Sequence, residues 1–144
     1  MEWQPRIQTV RGRECILCPW RRRWVKLTPE EWVRQQVLWS LETCQGYPHG
    51  RMAVEHSITV GDCRKRCDAV VFSPRLQPLC IIEFKQEQVP LGQRVLDQVA
   101  VYNRRLQVPF FIVSNGRTTS CCRVTDEGYA FLDHIPSYSE LLTP

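Results

Sequence analysis

Two neighbouring segments, KRCDAVVF (65–72) and LCIIEFK (79–85), are apolar on both alternating faces and yet carry Asp68, Glu83 and Lys85. Successive side chains of a strand point to opposite sides. Ala69 and Val71 therefore oppose Val70 and Phe72, while Cys80 and Ile82 oppose Leu79 and Ile81. Strands of that kind are covered on both faces. Two helices are available as covers. One starts at Thr28-Pro29-Glu30-Glu31, with a cap oxygen, a proline at the first position and acids in the first turn, and should end near Cys44, before Gly46 and Pro48. The other spans about Leu91 to Leu106. The fold class expected is α/β in three layers, a central sheet between helices.

The rest of the chain fits that plan. MAVEHSITV reads as a strand, Gly61-Asp62 as a turn, PFFIVS as a strand, Asn115-Gly116 as a turn and TTSCCRV as a last strand. The order is helix, three strands, helix, two strands. At 144 residues the chain is expected to form one domain over 1–144, with a core over 28–142 and an N-terminal hairpin extension over 1–27. That hairpin should turn at Arg21-Arg22-Arg23, a run that reads either as a solvated turn or as a phosphate-contacting loop. All five tryptophans fall between Trp3 and Trp39 and mark this end as a large packing surface.

No apolar run reaches the ~20 residues of a membrane span, and the first residues lack the apolar core of a signal peptide. The expected location is the cytoplasm, without a membrane partner. The eight cysteines should then be thiols. Cys15 and Cys18 have one C-x-x-C spacing, the basis of an alternative reading as a zinc-stabilised interaction domain, but no second pair and no histidine at a ligand interval follows. The formal charge of +4 comes from nineteen basic residues, sixteen of them arginine, against fifteen acidic ones. It permits an anionic partner without requiring one.

Asp68, Glu83 and Lys85 carry the chemistry. If Phe72 pairs with Leu79 across the loop, Asp68 lies opposite Glu83, with Cβ atoms about 5 Å apart, and like charges so placed repel. A divalent cation resolves the conflict, and oxygen ligands favour Mg²⁺ or Mn²⁺. Lys85, two residues after Glu83, shares its face and can act on the attacking water. An ion pair of Lys85 with either carboxylate is the competing structural reading. On the following helix Leu91, Val95, Gln98 and Tyr102 share one stripe. Gln98 and Tyr102 then read either as buried groups bonded to the sheet or as a pair aimed at a nucleic acid.

Asp68, Glu83-Phe84-Lys85 and Gln98-x-x-x-Tyr102 together resemble the PD-(D/E)xK nuclease superfamily. The segments LTPEEWVRQ, KRCDAVVF, LCIIEFKQ, LDQVAVYN and FFIVSNG resemble the N-terminal nuclease domain of type I restriction enzyme R subunits, over Cys15 to Leu142. The resemblance implies a restriction-endonuclease-like fold with a mixed central sheet and a Mg²⁺-dependent DNA endonuclease. Asp68, Glu83 and the backbone carbonyl of Phe84 would hold the metal, with Lys85 assisting the water. It also implies an acid on the first helix, for which Glu31 is the match; Glu30 is a first-turn acid favoured by the helix dipole, and Glu55 is a weaker match. Cys67 stands where the name motif has proline. Gln98, Tyr102, Arg66, Arg104 and Arg105 would meet DNA, and the implied partners are DNA and either a second copy or a motor chain. No G-x-x-x-x-G-K-[ST] loop is present, so ATP is not expected as a ligand. A second alternative keeps the fold as a catalytically weak binding module, with Arg64, Lys65, Arg66, Arg104 and Arg105 on phosphates.

Overall fold

The computed structural model describes residues 2–143. The first helix, α1 (Pro29–Gln45), begins as its sequence dictates: Thr28 is extended and its hydroxyl accepts from the Glu31 N–H. Gly46 ends it at φ 73°, a left-handed conformation that glycine enters without steric cost. Before it, three short strands, β1 (Ile7–Val10), β2 (Arg13–Cys18) and β3 (Arg23–Lys26), form an antiparallel sheet of their own. The hairpin expectation is thereby widened by one strand: β1 is exposed throughout and carries no alternating apolar signal.

The main sheet has six strands in sequence order: β4 (Met52–Val60), β5 (Cys63–Phe72), β6 (Pro78–Phe84), β7 (Phe110–Ser114), β8 (Thr119–Thr125) and β9 (Gly128–Phe131). Only β6 and β7 are parallel. They are joined over the sheet by α2 (Gln93–Leu106), as a parallel pair requires. A short third helix, α3 (Tyr138–Leu142), follows β9.

Alternation divides the core as the sequence predicts except at Leu79, which packs on the same side as Cys80 and Ile82 next to the bulge at the start of β6. Ala69, Val71, Cys80, Ile82 and Ile112 pack with Val33, Leu38 and Leu41 of α1 on one face. Val70, Ile81, Phe111 and Val113 pack with Leu96, Ala100 and Leu106 of α2 on the other. The adjacent Cys121 and Cys122 fall one to each face. Burial pushes these two thiols up to about 12 and about 11, so both are inert core groups. Among the described residues no helix is long and apolar enough to cross a membrane.

Three sequence expectations need correction here. Phe72 pairs with Pro78, not Leu79, because a bulge interrupts the ladder between Val71 and Phe72. Cys15 and Cys18 stand three apart on one extended strand, so they point to opposite faces and do not form a zinc pair. The buried side of α2 is Leu96, Ala100, Asn103 and Leu106, so Gln98 and Tyr102 lie on the exposed side and are not bonded into the sheet.

Candidate active site

The β5–β6 ladder pairs Ala69 with Ile82 and Val70 with Ile81 and ends there; just beyond it the Asp68 carboxylate adjoins that of Glu83. On the other flank the β4–β5 ladder runs through Val54–Ala69 and His56–Cys67 but skips Glu55 and Asp68. Glu55 is turned out at φ 53°, a left-handed conformation costly for a side chain-bearing residue. Asp68 thus sits in a gap between its neighbours, and side chains replace the missing ladder bonds. Arg34 of α1 donates to the Asp68 carbonyl at 3.1 Å, and the Asp68 carboxylate accepts from the Phe84 N–H at 2.8 Å.

The gap also shifts the phase of β5. Cys63 and Cys67 before it and Val70 after it all pack on the α2 side, which strict alternation forbids. One consequence is that Lys65 reaches the carboxylate pair. Its ammonium lies 2.5 Å from Glu83 Oε1 and 5.0 Å from the centre of the Tyr102 ring. Oε1 is closed to solvent, and among the described residues this ammonium is the one group that neutralises it. Lys65 is a neighbour of the site that sequence periodicity could not find, since Lys65 and Asp68 stand three apart on a strand.

Burial, the largest influence, and the adjacent Asp68 carboxylate push the Glu83 carboxyl up to about 7, against the downward pull of Lys65. The folded state therefore keeps a proton that the unfolded chain releases from its ordinary 4.5 upward. The stability this contributes is complete below about 4.5 and gone once pH passes about 7. In EDTA, wild type should lose more melting temperature between pH 5 and pH 8 than Glu83→Gln does, by about 8 °C for a shift of this size. Parallel melting profiles by differential scanning fluorimetry would show that Glu83 does not titrate in that window.

Lys85 begins just past β6, with its side chain exposed. Its backbone N–H donates to Ser114 O at 2.9 Å, and Asn115 holds Val89 O through its side-chain amide at 2.8 Å. The segment leaving β6 is thus tied to the β7–β8 turn. Among the described residues no carboxylate pairs with Lys85, so the ion-pair reading does not describe it.

Glu31 goes elsewhere. Only 4% exposed, it accepts from Arg21 at 2.5 Å, from Gln35 at 2.9 Å and from Arg34 at 3.2 Å. Both carboxylate oxygens are engaged, and no cluster of three or more acidic, histidine or cysteine groups able to hold a metal forms among the described residues. The expected grouping of Glu31 with Asp68 and Glu83 is therefore corrected: Arg34 stands between them. Glu55 joins the same network through Arg34 at 3.4 Å and Arg66 at 3.1 Å, with Arg21 at 3.7 Å. These three arginines hold its carboxyl below the usual range, against the upward push of its partial burial. Arg21 is thus the anchor of the N-terminal sheet and no part of an exposed turn.

Of the residues expected to meet DNA, Gln98, Tyr102 and Arg105 share the outer face of α2 with Arg94, Asp97 and Val101. Arg104 faces away toward Val124 and Asp126, and Arg66 is exposed on β5 beside Glu55. Lys65 links Tyr102 to Glu83, so one edge of the α2 face adjoins the carboxylate pair.

Comparison with known proteins places this arrangement. The family described as Type I restriction enzyme R protein N terminus (HSDR_N) matches residues 29–136. Among solved structures, the fragment of a candidate HsdR subunit of a type I restriction enzyme from Vibrio vulnificus YJ016 superposes with a TM-score of 0.60 at 22% identity, covering 81% of this chain and 25% of that one. The chain thus spans about a quarter of the length of that fragment. A candidate nuclease belonging to DUF820 from Anabaena variabilis ATCC 29413 superposes at 0.51 with 12% identity, over 100% of this chain and 88% of that one. No curated protein matches. The three-layer fold, with its mixed central sheet, is the restriction-endonuclease-like one.

Proposed function

The chain belongs to the family of type I restriction enzyme R protein N termini, and from that membership we propose that it is a Mg²⁺- or Mn²⁺-dependent DNA endonuclease domain centred on Asp68 and Glu83. The observation that carries this reading is the gap in the sheet, where the Asp68 carboxylate adjoins the largely buried Glu83 carboxylate and a single ammonium, Lys65, lies against Glu83. Two carboxylates so placed repel, and a hard divalent cation with oxygen ligands relieves the repulsion. Asp68 and Glu83 would hold the cation, with the Phe84 carbonyl as a further oxygen.

When bound, the cation supplies Lewis-acid stabilisation of a phosphate and acidifies the attacking water. Lys85, exposed at the end of β6 and free of a carboxylate, takes or holds the water proton at Nζ. Lys65 neutralises part of the pair's charge, and the Tyr102 ring beside it would hold its ammonium if Glu83 held a cation. Gln98, Tyr102 and Arg105 on α2, with Arg66 on β5, contact the DNA.

The test is nicking of supercoiled plasmid by the full chain with excess Mg²⁺ or Mn²⁺ against EDTA, with Lys85→Ala in parallel. Cleavage should need the cation and fall about a hundredfold or more in Lys85→Ala. DNA binding without cleavage in either cation would replace this reading by that of a binding module.

A further inference from the structure

The charge of the chain is concentrated in the part outside the family match. Residues 1–27 hold seven basic side chains (Arg6, Arg11, Arg13, Arg21, Arg22, Arg23 and Lys26) and two acidic ones (Glu2 and Glu14), a net of +5. The other 117 residues hold twelve basic and thirteen acidic ones, a net of −1, so the +4 of the whole chain arises here. Of the seven, only Arg21 has a carboxylate partner among the described residues.

The register of the small sheet sorts its side chains. Cross-strand partners share a face, so Val10 with Arg13, Cys15 with Lys26 and Leu17 with Trp24 line one face. The other face carries Ile16 and Cys18, both without solvent exposure. The paired strand positions of the first face hold no acidic residue, and Glu2 lies at its edge near Arg6 and Leu17. On it Trp24 is 37% exposed, and the Arg6 guanidinium lies 6.0 Å from its ring centre. Unpaired arginine and lysine interleaved with an aromatic ring on a sheet match a phosphate backbone and its bases.

We propose that this face of the N-terminal sheet, built on Arg13, Lys26, Arg6 and Trp24, is a DNA-binding surface separate from the α2 face. Charge complementarity identifies the occupant: residues 1–27 carry +5 and the remainder −1, which draws a polyanion to the N-terminal part first. Its position supports the role. Arg21, next to the exposed Arg22, is bound to Glu31 and lies 3.7 Å from Glu55. It thereby ties the N-terminal sheet to β4, the strand that flanks Asp68. The choice of DNA over another polyanion rests on the reading of the Asp68 and Glu83 site as a nuclease centre.

The experiment compares the full chain with Arg13→Glu/Lys26→Glu and with Arg75→Glu/Arg123→Glu, a pair that makes the same change in net charge on the body. Fluorescence anisotropy measures affinity for a labelled DNA across a salt series. The sheet variant should bind about tenfold or more weakly than the control pair, and its plot of log Kd against log salt should be shallower by about 2, one for each lost phosphate contact. Trp24→Phe, a milder change, should lose part of the tryptophan quenching seen when wild type binds. Equal affinities for the two charge variants would overturn the proposal, as would a wild type that binds anionic lipid vesicles but not DNA. Binding that depends on the sheet in a protein that never cuts would leave the proposal standing and remove the nuclease reading instead.

Discussion

Asp68→Asn is expected to lower Mg²⁺-dependent cleavage by about a thousandfold, the several kcal/mol that metal-assisted charge stabilisation supplies, while melting at or above the wild-type temperature in EDTA. The two effects have one origin. Asp68 adjoins Glu83, with Lys65 beside the pair, and like charges across a strand pair repel by roughly 0.2–1 kcal/mol, more where solvent is scarce. Asparagine removes one charge at nearly constant shape. Its carbonyl oxygen can still accept from the Phe84 N–H, the bond Asp68 makes at 2.8 Å, and its amide can donate to the adjacent Glu83 carboxylate. Wild type should gain stability on adding Mn²⁺, about 2.7 kcal/mol at a hundredfold excess over Kd, and the variant should gain little. A variant that melts well below wild type in EDTA would mean that Asp68 is a structural acid, held for its bond to Phe84.

The sequence was most legible where a local rule and the global fold agree. The cap at Thr28, the stop at Gly46 and the period-two run from Met52 to Val60 fix α1 and β4 to within a residue. Doubly apolar strands required helices on both faces, and α1 and α2 supply them. The misses are instructive. On α2, Val95, Val99 and Val101 are spread around the helix, so several apolar stripes compete; a buried Asn103 then sits on the core face while Gln98 lies outside it. β9 and α3 are short, although Ser137 and Glu140 form a capping box that could have marked α3. Lys65 and the Glu31 network depend on contacts across the chain, on a ladder that skips two residues, and on an arginine from α1 reaching a strand carbonyl. No periodicity records these.

Arg34→Met should lower the melting temperature by about 10 °C, corresponding to roughly 3 kcal/mol for a domain of this length. Arg34 is 7% exposed and makes three kinds of contact at once: with Glu31 at 3.0 Å, with Glu55 at 3.4 Å and with the carbonyl of Asp68 at 3.1 Å. Methionine fills the volume but leaves a buried carboxylate short of a cation and a strand carbonyl without a donor. The loss is smaller than for an isolated buried pair because Arg21 and Gln35 still hold Glu31. Arg34→Lys keeps the charge without the planar fork and should fall between the two. The same network decides the role of Glu31. If its oxygens are structural, Glu31→Gln should lower stability with and without metal, yet leave the gain produced by Mn²⁺ unchanged. If Glu31 leaves Arg34 to become a ligand, Arg34→Met should cost little and Glu31→Gln should erase the Mn²⁺ gain. Four melting curves for each protein separate the two, and the contacts on Glu31 favour the structural outcome: a carboxylate with both oxygens already bonded must first release two arginines and a glutamine before it can reach a cation.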